Sequence, residues 1–293
     1  MLNKLLAPLD GTPLAEAGLR WAEKAAQRSG AAVHLLTVID PSLGDVEARG
    51  KEAEAYLQSR RDQLKNKGLI AKMEVAAGEP AQTILEHAES ADLTVVSSGT
   101  VRWLISAVLD RVLANMTKPI VVVRASTLHA PLAPDLERIL VAMDRSDYSG
   151  DILLVIRDLA KAFGASVTVC HAVPPITDNY GRQTPTYPAG ASAAIHEANL
   201  FVARAAQKLR DEGIEVETVV AIGDPPGQIV NAAQKSGAGL IALTTRGRDH
   251  LDSRLVGSTA NAVLHSTRLP CLLTRRAPIS AGSGASRFRV TSG

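Results

Sequence analysis

The residues best placed for chemistry lie in the last fifth of the chain. The segment Thr244-Thr245-Arg246-Gly247-Arg248 follows an apolar run, and Gly257-Ser258-Thr259 follows nine residues after Gly247. A glycine turn, two basic side chains and a new helix N-terminus suit a phosphate. Free N–H groups at a helix start point at an anion, and the helix dipole favours its charge. Glycine admits close backbone approach, and Ser258 and Thr259 add hydroxyl donors. A second candidate is Asp144, which directly follows the apolar run Arg138–Met143. Each residue also has an ordinary reading. Asp144 can order a turn or cap a helix, Gly257-Ser258 can be a loop end and N-cap, and Arg246 and Arg248 can be a solvated loop face.

Other reactive residue types form no comparable pattern. His171, His250 and His265 lack the compact spacing of a metal site, so no metal is expected. Cys170 and Cys271 lie far apart and form no CxxC motif. They read as small buried residues in a reducing compartment. Cys170 beside His171 does not resemble a catalytic pair. The sequence has no Walker A loop, no Gly-x-Ser-x-Gly and no His-Glu-x-x-His. A nucleotide hydrolase needs a group that positions water and usually Mg²⁺. Asp144, Asp249 and Asp252 are close to the loop in sequence, but nothing assigns them that work. No catalytic residue is expected, and slow hydrolysis stays open.

The elements that must position these residues come from a duplication. KLLAPLDGT (Lys4–Thr12) matches RILVAMDRS (Arg138–Ser146), and GAAV (Gly30–Val33) matches GASV (Gly164–Val167). VAAGEP (Val75–Pro80) matches VAIGDP (Val220–Pro225), and KPIVVVR (Lys118–Arg124) matches LPCLLTR (Leu269–Arg275). The spacing between copies grows along the chain, with the largest insertion in Pro174–Ala193, which reads as a lid or a disordered segment. Each copy alternates short apolar strands with helices, which predicts a parallel sheet covered on both faces. Thr12 and Pro13 suit the start of the first helix, and Gly30 and Gly164 suit helix ends. In such a sheet, ligands bind beyond the strand C-termini where strand order reverses, here between the first and fourth strands.

At this point the sequence resembles the universal stress protein family. Its nucleotide signature, Gly-x2-Gly-x9-Gly-(Ser/Thr), fits Gly247, Gly257 and Ser258, while Thr244 stands where the first glycine belongs. The resemblance spans both copies. It implies two tandem Rossmann-like α/β domains, of the adenine nucleotide alpha hydrolase-like kind, each with a five-stranded parallel sheet. The expected bounds are 1–126 and 136–276, with 277–293 as a flexible tail. It further implies ATP or AMP, with or without Mg²⁺, bound in the second domain. Asp144 would meet the base, and Ala142 and Val173 would line its pocket. Gly247 and Arg248 would lie along the phosphates, with Gly257, Ser258 and Thr259 closing on them. The first copy keeps Asp10, Gly78 and Pro80, but Ser106-Ala107 replace the Gly-Ser pair in a shorter loop. That copy is expected to lack the nucleotide site. The resemblance also implies that the last strands, Ile120–Arg124 and Cys271–Arg275, pair within the chain, and it allows a homodimer. The rival readings are a protein-interaction scaffold that binds no nucleotide and a slow nucleotide hydrolase.

Composition bounds these readings. The 293 residues suit two domains, and 46% hydrophobic with 21% charged residues argues against a largely disordered chain. A formal net charge of +2 and only 3% aromatic residues give no sign of a nucleic-acid partner. No apolar stretch approaches the ~20 residues of a membrane span, and no signal-peptide core forms before Asp10. A cytoplasmic location is expected.

Overall fold

The computed structural model describes residues 2–98, 107–125, 136–145, 149–174, 189–245 and 257–275. In the first half, strands β1 (Lys4–Pro8), β2 (Ala32–Ile39), β3 (Ala71–Ala77), β4 (Leu93–Ser98) and β5 (Ile120–Arg124) alternate with helices α1 (Glu16–Ser29), α2 (Val46–Asn66), α3 (Pro80–Ala88) and α4 (Ala107–Asn115). The second half repeats the order with strands β6 (Arg138–Ala142), β7 (Ser166–Val173), β8 (Val216–Ile222), β9 (Leu240–Thr244) and β10 (Cys271–Thr274). Its helices are α5 (Ser149–Phe163), α6 (Ala189–Arg210), α7 (Pro225–Ser236) and α8 (Ser258–Ser266).

The two five-stranded sheets are halves of one sheet, ordered β3-β2-β1-β4-β5-β10-β9-β6-β7-β8. Neighbours within each half are parallel, and the join between β5 and β10 is antiparallel, with Val121 opposite Leu272. These two residues hold the same place in the aligned runs KPIVVVR and LPCLLTR, so a pseudo-two-fold axis passes between them. Pairing the last strands covers two edges that would otherwise invite other chains.

Helices on both faces explain the apolar strands. Ile120, Val121 and Val122 of β5 are all buried, as expected where neither face meets water. Each face carries a core that crosses the join. Leu5, Val121 and Leu272 belong to one, together with side chains of α1 and α5. Leu6, Ile120 and Leu273 belong to the other, with residues of α3, α4, α7 and α8. On the first face Trp21 of α1 meets the ring of Phe163 of α5 edge to face, centroids 6.2 Å apart. Beside them Arg28 pairs with Glu137 at 2.7 Å.

Local chemistry sets the helix starts. In both Gly-x-Pro turns the middle residue is a carboxylate that caps the next helix: Glu79 accepts from the amides of Ala81 and Gln82, and Asp224 from that of Gly227. The proline then occupies the first turn, where its missing N–H costs nothing. One expectation fails here. Thr12 and Pro13 do not open α1, which starts at Glu16 without a side-chain cap. Asp10 accepts from the Thr12 amide at 2.9 Å and from its hydroxyl at 2.6 Å, and the Thr12 hydroxyl oxygen accepts from the Ala15 amide at 3.3 Å, so Thr12 caps the turn that leads into α1 rather than the helix itself. The end of the Pro174–Ala193 insertion is also ordinary helix, because α6 begins at Ala189. Residues 175–188 and the expected tail, 277–293, lie outside the described residues.

Candidate functional site

In each half the chain order reverses between the first and fourth strands, β1 against β4 and β6 against β9. In the second half a cavity of about 410 Å³ opens at this point, beyond the strand C-termini. That is within the usual range of small-molecule pockets, ~300–1,000 Å³. Ala142, Asp144 and Val173 line one side, and Thr244, Gly257, Ser258 and Thr259 line the other. Seven of the nine residues read from the sequence therefore meet at one cavity. The other two, Gly247 and Arg248, lie with Arg246 outside the described residues.

Asp144 is placed by backbone and side-chain bonds on the residue before it. The Met143 amide donates to the Cys170 carbonyl at 2.9 Å. The Met143 carbonyl accepts from Nδ1 of buried His171 at 2.7 Å. A carbonyl oxygen only accepts, so Nδ1 carries a proton. Phe201 of α6 packs edge to face on the same ring, centroids 5.5 Å apart. The first half uses the same device with a smaller residue: Thr37 donates its hydroxyl to the Leu9 carbonyl at 2.9 Å, one residue before Asp10. Sequence reading sets His171 aside as a metal ligand and as half of a catalytic pair, and misses this role. The signal is present, since Thr37 and His171 are both donors at one position of the repeat.

The opposite wall is the start of α8. Gly257 is its N-cap, and its amide donates to the Thr245 carbonyl at 2.6 Å. A Cβ at Gly257 would stand 2.8 Å from that carbonyl oxygen. Only glycine fits this approach without movement of the backbone. Having no side chain, Gly257 leaves the first turn of α8 without a side-chain cap, so its amides are available to an anion. Thr245 is only 2% exposed, and its hydroxyl oxygen has no hydrogen-bond partner. At the rim, Arg145 forms an ion pair with Glu197 of α6 at 2.7 Å.

The corresponding place in the first half is built differently. Ser97, level with Thr244 in the repeat, accepts from the Gly18 amide at 2.7 Å and donates to the Ala15 carbonyl at 3.0 Å. A Cβ at Gly18 would lie 2.8 Å from the Ser97 hydroxyl, so α1 rests directly on the end of β4. The second half has Ile152 at the position of Gly18. The loop 99–106, including Ser106, lies outside the described residues.

The cysteines take no part. Burial pushes both thiols up to about 12, which leaves them protonated and unreactive at neutral pH. Among the described residues no group of three His, Cys, Asp or Glu side chains could hold a metal. No helix among them is long and apolar enough to cross a membrane.

This crevice lies at the switch point of an open α/β sheet, the place where ligands of such sheets generally bind. The chain matches the profile of the Universal stress protein family over residues 1–124 and again over 136–275. The chain belongs to that family. A universal stress protein of Mycobacterium tuberculosis is 27% identical over 214 residues, 71% of this chain and 70% of the relative. Universal stress protein YxiE of Bacillus subtilis is 26% identical over 153 residues, covering 47% of this chain and 98% of its own length. Among solved structures, a universal stress protein from Archaeoglobus fulgidus aligns over 94% of this chain and 96% of its own, at 20% identity and a TM-score of 0.68. That likeness shows the fold.

Proposed function

We propose that the second half binds ATP or AMP and that the protein acts as a nucleotide-responsive stress or regulatory module. The observation that carries this reading is Gly257. It is a glycine by necessity of space, it opens α8 without a side-chain cap, and it faces Asp144 across one cavity. Asp144, with Ala142 and Val173, would receive the adenine end. The amides and hydroxyls of Ser258 and Thr259 would receive phosphate oxygens, joined from the neighbouring loop by Gly247 and Arg248. Thr244, at the departure from the signature, offers a small polar side chain that leaves the cavity open. Mg²⁺ accompanying ATP would be held mainly by the phosphates, because Asp144 is the only carboxylate on the described lining.

The role proposed is binding and not turnover. The first half serves as a structural and regulatory partner without a nucleotide of its own. Mass spectrometry of the denatured, purified protein tests the reading, with released ATP or AMP expected. No released nucleotide, together with no heat on titration with ATP, would favour a scaffold that works through protein contacts. Steady ADP formation, lost on changing Asp144, would favour a hydrolase.

A further inference from the structure

The two halves exchange one arginine each. Arg124, the last residue of β5, reaches across the join to the far end of α8. Its guanidinium donates to the His265 carbonyl at 2.8 Å and the Thr267 carbonyl at 3.0 Å. Arg275, one residue past β10, reaches the other way and donates to the Ala114 carbonyl in the last turn of α4. Arg124 and Arg275 close the aligned runs KPIVVVR and LPCLLTR, so the exchange obeys the pseudo-two-fold axis at Val121 and Leu272. Each guanidinium satisfies carbonyls that a helix end leaves without intrahelical partners, and its charge complements the negative end of the dipole.

The two exchanges have unequal consequences. The helix held by Arg275 begins at Ala107, where the first half has no Gly-Ser pair. The helix held by Arg124 begins at Gly257-Ser258-Thr259, on the cavity wall. α8 has nine residues, a rod of about 14 Å at 1.5 Å per residue. Of these nine, Ala260 and Val263 are buried and Leu264 packs partly buried against the same core. Fixing the C-terminal end of so short a rod limits the tilt and travel of its N-terminal end.

We propose that Arg124, from the first half, is a positioning residue for the anion-binding end of α8 in the second half. The site then depends on a residue outside its own domain, and the first half holds the cradle helix from behind. The binding arm of the test, and that arm alone, rests on the nucleotide reading above.

The mirror residue supplies the control. Arg124→Ala, Arg124→Lys and Arg275→Ala are compared in the full chain, by calorimetric titration with ATP and by amide hydrogen exchange. Arg124→Ala is expected to weaken ATP binding at least fivefold and to speed exchange in Ser258–Ala260. Arg124→Lys, which still donates to a carbonyl, should recover part of the affinity. Arg275→Ala removes an equivalent bond across the same join and should leave binding within twofold of the unaltered chain. Equal losses in both alanine variants, or none in Arg124→Ala, would overturn the proposal. If the unaltered chain binds no ATP, the nucleotide reading fails. The exchange comparison then decides the positioning role, and equal exchange in the two alanine variants would overturn it.

Discussion

Gly257 concentrates the site into one residue. Any side chain there starts 2.8 Å from the Thr245 carbonyl oxygen, so even Gly257→Ala must move the start of α8 or the end of β9. Loss of at least tenfold in ATP affinity is expected, about 1.4 kcal/mol, while Ser258→Ala, which keeps the amide, should cost less. Equal losses by calorimetry would contradict the backbone account. A second residue-scale prediction concerns the first half, where Glu74 of β3 lies between His34 of β2, at 3.3 Å, and His87 of α3, at 3.1 Å. Burial opposes charge on His87, but hydrogen bonds to Glu74 and to the Thr83 carbonyl outweigh it and hold its pKa above the ordinary value. Burial keeps His34 below its own ordinary value, aided by Lys4. A raised histidine contributes stability that is present below its unfolded pKa and lost as pH rises through the folded one. His34 works in the opposite sense, so each ring must be followed by itself. In NMR titrations Glu74→Gln should lower the His87 pKa, and an unchanged value would contradict the bridge.

At the scale of elements, the repeat made most of the fold legible. Apolar runs flanked by Gly-x-Pro turns located β3, β8 and the helices after them, because turn and cap residues act locally. The start of α1 was not legible to the residue, since Thr12 reads as the helix cap, whereas Asp10 and the Ala15 amide hold it in the turn before Glu16. The role of His171 showed in the sequence only as a donor shared with Thr37 at one position of the repeat, because its bond to Met143 joins neighbouring strands and strand pairing is a long-range fact. The α1–α5 contact is another such fact. Trp21 is 1% exposed and Phe163 2%, and they come from different halves. Phe163→Ala should therefore destabilise the chain by about 3–5 kcal/mol. It should also lower the urea midpoint of both halves together. A midpoint shift confined to second-half probes would contradict the shared core.

At the scale of the molecule, the proposed function assigns two similar domains different roles. Both apolar clusters run through β5 and β10, so unfolding is expected to be a single calorimetric transition, with van't Hoff and calorimetric enthalpies equal. Two resolved transitions would contradict this. The halves differ where the sequence differs. Gly18 lets α1 settle on Ser97 in the first half, and Gly257 opens the cradle in the second. Their asymmetry is the central claim, and the stoichiometry of ATP binding to the full chain tests it most directly. One ATP per chain is expected by calorimetry, and none for Gly257→Val. Two ATP per chain, or one that survives Gly257→Val, would contradict it.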